Sequence, residues 1–232
     1  MLKKLERIVV GIDISEKSDN VLKRALMVAS ENGSDLFVVH AVRIPWLDIP
    51  SYFGSKAVEI DKEGLKKKIE KKIKLLNKET KVNCFIFVKE GNADDIILYE
   101  SKLHKADLII IGAHSRAKNK KKSVGATAEK VANQSHLPVL IVKNSAKKTY
   151  KNIIAPTDFE MQSKQSILFT QKVFPTASID IIHAFETIYF EGPYAAVGRD
   201  LSEYNEVAKS CAKNDLKTFM KELSVKKGKV ID

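Results

Sequence analysis

The sequence is poor in the residues and motifs on which disulfide-rich, membrane-spanning and many catalytic proteins depend. Its two cysteines, Cys84 and Cys211, lie far apart in apolar patterns and show no metal or redox spacing. We expect both to be small, buried hydrophobic residues in a reducing cytoplasm. No apolar run approaches the roughly 18 residues that a membrane span needs, and the N-terminus lacks a secretory signal pattern. A nucleophile elbow, a Walker P-loop and a dinucleotide fingerprint are also missing, so we see no catalytic constellation.

Positive charge, in contrast, is abundant, and the formal net charge of +11 favours acidic partners such as nucleotides or nucleic acids. Much of this charge is diffuse. Residues 65–76 interleave lysines with apolar residues at helical spacing, which is typical of a solvated helix face. The lysines lack interleaved aromatic residues, so we expect any binding of RNA or DNA to be weak and steeply dependent on salt.

Short apolar runs alternate with amphipathic segments through residues 1–143. The predicted strands are residues 7–13, 35–42, 82–88, 106–112 and 138–143. Helical patterns separate them, and Gly33 is suited to end the first helix. Continuously apolar strands that alternate with helices predict parallel pairing, right-handed crossovers and helices on both faces of the sheet. We therefore expect an open, doubly wound α/β domain.

The pattern then starts again after a polar, basic linker at residues 144–151. Residues at the strand ends recur in the second stretch: Asp158 matches Asp13, while His183 and Ala184 match His40 and Ala41. This predicts an internal duplication in which residues 152–232 form a partial second domain, with strands 1 to 3 and two helices. The missing part of its sheet is explained by a longer parent protein or by a partner that covers the edge, and the first explanation is favoured because open edges promote aggregation.

Ligands of doubly wound sheets bind beyond the carboxyl ends of the strands, where several polar or small residues fall. The carboxylate of Asp13 could accept hydrogen bonds from ribose hydroxyls, or it could cap the first helix. The backbone near Ala41 could pair with the edge of a base. Gly112 either admits a ligand close to the backbone or only allows a turn.

A second group of candidate residues surrounds the start of the fourth predicted helix. Gly125, Ala126 and Thr127 offer backbone N–H groups at a helix N-terminus, where the helix dipole favours a phosphate. The Thr127 hydroxyl could add a donor or bind a metal ion carried by the phosphates. Arg116 and the lysines after it raise the local positive potential, although the lysine run is also typical of a solvated loop. In the second repeat Asp158 and Ala184 lack such a loop, so that repeat alone should bind nothing tightly.

At these residues the sequence resembles the universal stress protein (UspA-like) family. Nucleotide-binding members of that family carry Gly, two residues, Gly, nine residues and then Gly followed by Ser or Thr. The corresponding residues are Gly112, Ser115, Gly125 and Ala126, and "GID", "VVHAV" and "APTDF" are also similar. The resemblance implies a five-stranded parallel sheet in the order 3-2-1-4-5 (the adenine-nucleotide alpha-hydrolase-like fold), and dimers formed along the fifth strands or between tandem copies. It also implies binding of ATP or AMP, with Mg²⁺ accompanying ATP.

Two departures from the family pattern bear on function. Ser115 stands where the second glycine is expected, and Ala126 stands where the Ser or Thr is expected. The lost hydroxyl of Ala126 removes about 1 to 2 kcal/mol of contact with a phosphate. The leading hypothesis is a cytoplasmic, adenine-nucleotide-binding regulatory protein of the stress response, without strong catalytic activity and at most with slow ATP hydrolysis. The alternative is a universal stress protein that binds no nucleotide and acts as a structural or protein-interaction module.

Overall fold

The computed structural model describes residues 5–43, 60–113, 124–185, 202–225 and 227–231. The chain divides into two units, Met1–Thr149 and Tyr150–Asp232. Within the described ranges no helix is both long enough and apolar enough to cross a membrane.

The first unit is a doubly wound α/β domain with nine described elements. In chain order these are β1 Arg7–Gly11, α1 Lys17–Asn32, β2 Asp35–Val42, α2 Lys62–Leu76, β3 Cys84–Glu90, α3 Ala93–Leu103, β4 Leu108–Gly112, α4 Ala126–Gln134 and β5 Val139–Val142. All pairings are parallel, and the strand order is β3-β2-β1-β4-β5. The predicted fold class and strand order are therefore confirmed.

The central strands are buried on both faces, which explains why they are apolar at every position. Val9 and Ile109 are fully buried and pack with Ile97 of α3 and Val131 of α4. On the other face α1 packs against β1 and β4. A buried valine or isoleucine stabilises a fold by about 1.5 to 3 kcal/mol. The alternation of apolar runs and amphipathic helices thus sets the layers of this domain.

Helix and strand ends follow local chemistry that the apolar pattern does not contain. Gly33 ends α1 with a left-handed backbone (φ 64°), as predicted. The third strand begins at Cys84 rather than at Val82. The Asn77 side chain donates to the carbonyl of Val82 and accepts from its N–H, each at 2.8 Å. These bonds tie Val82 to the end of α2, so the strand cannot begin there.

The segment after β5 packs against the first unit before the second unit begins. The Arg24 guanidinium of α1 donates to the carbonyl of Lys148 at 2.9 Å. Ala146 is 2% exposed. Although residues 144–149 are polar and basic, they therefore include a buried alanine and a hydrogen bond to α1.

The second unit contains five described elements. They are β6 Asn152–Pro156, α5 Met161–Val173, β7 Ser178–Ala184, α6 Ser202–Glu222 and β8 Lys227–Ile231. The strands pair in parallel in the order β6-β7-β8. Ile167 of α5 and Leu216 and Phe219 of α6 bury one face of this sheet together with Ile181.

The prediction that both cysteines are buried is wrong for Cys211 and only partly correct for Cys84. Cys84 is half-buried, and Cys211 is exposed. The core side of α6 is formed by Ala212, Leu216, Phe219 and Leu223, which repeat at helical spacing. Cys211 precedes this series by one residue, about 100° around the helix, and so falls outside the buried stripe.

Candidate functional site

The carboxyl ends of β1, β2 and β4 border a cleft of about 500 Å³ in the first unit. Six of the eight residues proposed for its ligand line it: Asp13, Ala41, Gly112, Gly125, Ala126 and Thr127. Ser115 and Arg116, together with the lysines at 118 and 120–122, lie outside the described residues. The topology thus brings together, at one edge of the sheet, residues that are more than 100 positions apart in the chain.

Asp13 follows β1, and its two carboxylate oxygens have different surroundings. One accepts hydrogen bonds from Ser15, and the other has no hydrogen-bond partner among the described residues. Oδ1 accepts from the N–H of Ser15 at 3.0 Å and from its hydroxyl at 2.5 Å. Oδ2 is buried and has no hydrogen-bond partner among the described residues. The first residue before α1 is Glu16, and its side chain makes no capping bond. Asp13 therefore closes the turn into α1 and does not cap the helix itself.

The backbone of Asp13 is held in place by Ser18 and by the neighbouring strand. The Ser18 hydroxyl lies within hydrogen-bond distance of the carbonyl oxygens of Asp13 and Ser15. Ile12 N–H donates to the carbonyl of Val39 at 3.0 Å. An unpartnered, buried carboxylate oxygen is costly unless a ligand supplies a donor. The fixed backbone keeps Asp13 at the cleft that it lines.

His40 links the ends of β1 and β2. Its Nδ1 donates to the carbonyl of Ile12 at 2.9 Å, and the side chain is buried. This contact makes His40 a core residue with a satisfied hydrogen bond. The ranges that the structure describes contain no group of three His, Cys, Asp or Glu residues that could hold a metal ion.

The two glycines of the candidate phosphate loop do not have the backbone angles that require glycine. Gly112 is absent from the residues with positive φ, and Gly125 has φ −83° and ψ 157°. Any L-residue can adopt the angles of Gly125. Backbone conformation therefore does not account for glycine at position 125.

The N-terminus of α4 faces the cleft without a side-chain cap. The N–H of Gly125 donates to the carbonyl of Ala113 at 2.7 Å, which joins the start of α4 to the end of β4. The following residues, Ala126 and Thr127, supply first-turn N–H groups, which have no partner within a helix. Such groups, aided by the helix dipole, are suited to bind an anion.

Two residues that shape the cleft were not singled out in the sequence. A Cβ atom at Gly11 would lie 2.4 Å from Cδ1 of Ile97, so Gly11 allows α3 to pack closely over β1. Arg43 lies at the end of β2 and lines the same cleft. The glycine at the end of the first strand was a visible signal for the first of these. The position of Arg43 could be recognised only after β2 and β1 were paired.

The second unit repeats the His40 arrangement but not the cleft lining. His183 Nδ1 donates to the carbonyl of Thr157 at 2.8 Å, as His40 does to Ile12. Asp158 is exposed, and Phe159, with φ 68°, stacks on His183 at 4.0 Å between ring centroids. Hydrogen bonds, first from the Ser163 side chain and then from the Glu160 backbone N–H, lower the pKa of Asp158. Ala184, at the end of β7, is also exposed.

The domain, its sheet order and the strand-end cleft agree with a match between residues 4–143 and the universal stress protein family model. The chain belongs to the universal stress protein family. A universal stress protein of Methanocaldococcus jannaschii is 29% identical over 145 residues, which cover 61% of this chain and 84% of that protein.

Two solved structures are similar to this chain at lower identity. A functionally unknown protein of Pseudomonas aeruginosa PAO1 is 16% identical, and the match covers 97% of this chain and 73% of that one at a TM-score of 0.67. The universal stress protein of Archaeoglobus fulgidus, solved in complex with dAMP, is 20% identical, and the match covers 61% of this chain and 100% of that one at a TM-score of 0.45.

Proposed function

We propose that the first unit binds an adenine nucleotide, ATP or AMP, and that the protein acts as a nucleotide-responsive regulator of the stress response. The carrying observation is Asp13, whose buried Oδ2 has no hydrogen-bond partner among the described residues and which lines the same cleft as the uncapped N-terminus of α4. The ribose of a nucleotide could donate to the unpartnered carboxylate oxygen of Asp13, and the phosphate of the same molecule could accept from the first-turn N–H groups of α4. Binding would satisfy both.

Each part of the nucleotide has a corresponding part of the cleft. The ribose hydroxyls would donate to Asp13, and the base would lie beside the backbone of Ala41. The phosphates would accept from the N–H groups of Ala126 and Thr127, with the Thr127 hydroxyl as a further donor. With ATP, Mg²⁺ would be carried mainly by the phosphates, and no protein metal site is required.

The proposal includes no strong catalytic activity. Among the described residues that line the cleft, the one histidine is His40, and its Nδ1 is already bonded to the Ile12 carbonyl. A general base must reach the proton that it abstracts. Regulation would then depend on the bound state, through assembly as a homodimer, through pairing of the two repeats or through an unidentified protein partner.

Isothermal titration calorimetry with AMP and with ATP plus magnesium tests this function. Saturable binding with a dissociation constant below about 1 mM, and an accompanying rise in melting temperature, is expected. The absence of both heat and a thermal shift at millimolar nucleotide would overturn the proposal.

Ala126 favours the alternative function, a family member that binds no nucleotide and serves as a structural or protein-interaction module. Ala126 lacks the hydroxyl that the family pattern places beside the phosphate. If the titrations detect no binding of AMP or ATP, this alternative explains the cleft as the remnant of a nucleotide site. The predicted loss of about 1 to 2 kcal/mol weakens a phosphate site without abolishing it, which is why nucleotide binding is preferred.

A further inference from the structure

A groove in the second unit combines a row of lysines with the free edge of a sheet. Four lysines recur at every fourth residue of α6: Lys209, Lys213, Lys217 and Lys221. With 1.5 Å of rise per residue, their Cα atoms form a stripe about 18 Å long with steps of about 6 Å. All four line a groove of about 700 Å³ whose apolar lining comes from Leu216, Met220, Val225 and Val230.

The groove runs beside β8, which is one of the two outer strands of the β6-β7-β8 sheet in the described residues. An outer strand presents a row of backbone N–H and C=O groups that no sheet neighbour in the described residues satisfies. Gly228 allows α6 to lie close to this strand, because a Cβ atom there would meet Sδ of Met220 at 2.5 Å and Cδ2 of Leu216 at 3.3 Å. The lysine stripe therefore lies alongside a strand edge that can accept another strand.

The stripe contains little compensating negative charge. Lys209 pairs with Glu206 at 4.0 Å, and the described residues provide no ion pair for Lys213, Lys217 or Lys221, all of which are exposed. Like charges four residues apart destabilise an isolated helix. A polyanion lying along the stripe would remove this repulsion.

The first unit has a related groove without this property. It lies between α2 and β3, measures about 470 Å³, and is lined by Lys66, Glu70 and Lys74, so an acidic residue interrupts the lysines. The uninterrupted stripe is thus a feature of the second unit, and the first unit supplies a matched control.

We propose that this groove binds an extended acidic peptide of a partner protein, which pairs with the free edge of β8 and directs alternate Asp or Glu side chains toward the lysines of α6. Alternate side chains of an extended strand are about 6.6 Å apart, close to the spacing of the lysines. Main-chain hydrogen bonds supply affinity in such strand addition, and the alternating side chains supply specificity. This site is independent of the nucleotide cleft.

A nucleic acid is the competing polyanion, and the groove lining argues against it. Among the residues that the structure describes, the lining consists of lysine, leucine, methionine, valine and glycine and includes no aromatic residue. Proteins that bind single strands combine basic grooves with aromatic platforms on which bases stack. The strand edge and the absence of such platforms favour a peptide.

Fluorescence anisotropy with the full chain tests the proposal. The probe is a labelled twelve-residue peptide that alternates glutamate and threonine, and its control has the same composition with the glutamates consecutive. The alternating peptide should bind at least about tenfold more tightly. Lys213→Glu with Lys217→Glu should weaken its binding at least about tenfold, whereas Lys66→Glu with Lys74→Glu should leave it unchanged. Circular dichroism checks that each variant is folded.

Backbone pairing is tested separately with N-methylated peptides. In a peptide strand beside β8, amides that face β8 alternate with amides that face away. Methylation of the amides that face β8 should abolish binding, and methylation of the others should be tolerated. Equal effects of the two methylation patterns, or equal binding of the two unmethylated peptides, would overturn strand addition. Tighter binding of single-stranded RNA or DNA of equal charge would assign the groove to nucleic acid. If no polyanion binds, the lysines serve only to protect an edge strand, and the proposal fails.

Discussion

A Cβ atom at Gly11 would lie 2.4 Å from Cδ1 and 3.1 Å from Cγ1 of Ile97. Gly11 is the last residue of β1, Ile97 is buried on α3, and both line the cleft at the strand ends. The absence of a side chain at one position therefore fixes how closely α3 lies over the strand from which Asp13 emerges. Packing and the candidate site are coupled through this pair.

Gly11→Ala should destabilise the first unit by about 1 to 3 kcal/mol, because the added methyl group overpacks a buried contact. Urea denaturation measures the loss. Ile97→Val removes Cδ1 and alone should cost about 0.5 to 1.5 kcal/mol. The double variant should be more stable than the sum of the two losses predicts, since the valine makes room for the new Cβ. Strict additivity would show that the two residues do not interact.

Asp13→Asn should weaken nucleotide binding without lowering the stability of the ligand-free protein. The asparagine keeps an acceptor for Ser15 but removes the charge from a carboxylate whose buried Oδ2 has no hydrogen-bond partner in the described part of the chain. We expect the ligand-free protein to be at least as stable as wild type, and nucleotide affinity to fall about tenfold or more, as when a hydrogen bond to a charged group is weakened. Thermal melting with and without AMP measures both effects. Asp158→Asn is the control and should not change the AMP-induced shift.

The positions of the secondary-structure elements were largely predictable from the sequence, whereas several local contacts were not. Buried strands such as Ile8–Val10 and Ile109–Ile111 are apolar throughout because helices cover both faces, and this pattern is visible without a structure. Strand order came from the family resemblance, since apolar periodicity does not say which strands are neighbours. The bond between His40 and Ile12 and the approach of Ile97 to Gly11 join distant parts of the chain. Only the folded geometry reveals them.

Ala126→Ser tests whether the missing hydroxyl at position 126 limits the affinity for nucleotide. Ala126 lines the cleft at the first helical position of α4. A serine hydroxyl there should add a hydrogen bond to a bound phosphate and strengthen AMP binding about five- to tenfold, which corresponds to about 1 kcal/mol or slightly more. Calorimetry with AMP and with adenosine measures the effect. The gain should be absent with adenosine, and a gain of equal size for both ligands would show that the phosphate does not lie at this position.

The two cysteines should differ in reactivity. Burial raises the pKa of the Cys84 thiol to about 11, and Cys211 is exposed. The thiolate is the reactive form, so Cys84 should remain almost unreactive at pH 8 to 9 and become reactive only as the pH approaches 11 or the unit unfolds. Labelling with iodoacetamide, followed by peptide mass spectrometry, should modify Cys211 first. Cys211→Ser should then leave a native protein with almost no labelling at pH 8, and prompt labelling of that variant would contradict the burial of Cys84.

Val9 and Ile154 occupy matching positions, each four residues before the aspartate that follows its strand, but their surroundings differ. Val9 is 0% exposed beneath α3 and α4, whereas Ile154 is 67% exposed. Val9→Ala should therefore destabilise the first unit by about 2 kcal/mol, while Ile154→Ala should change the second unit by less than about 0.5 kcal/mol. Hydrogen exchange of peptides from β1 and β6 measures each unit separately. A large loss of protection in β6 on Ile154→Ala would show that this residue is covered in solution, because only a buried side chain leaves a cavity when it is truncated.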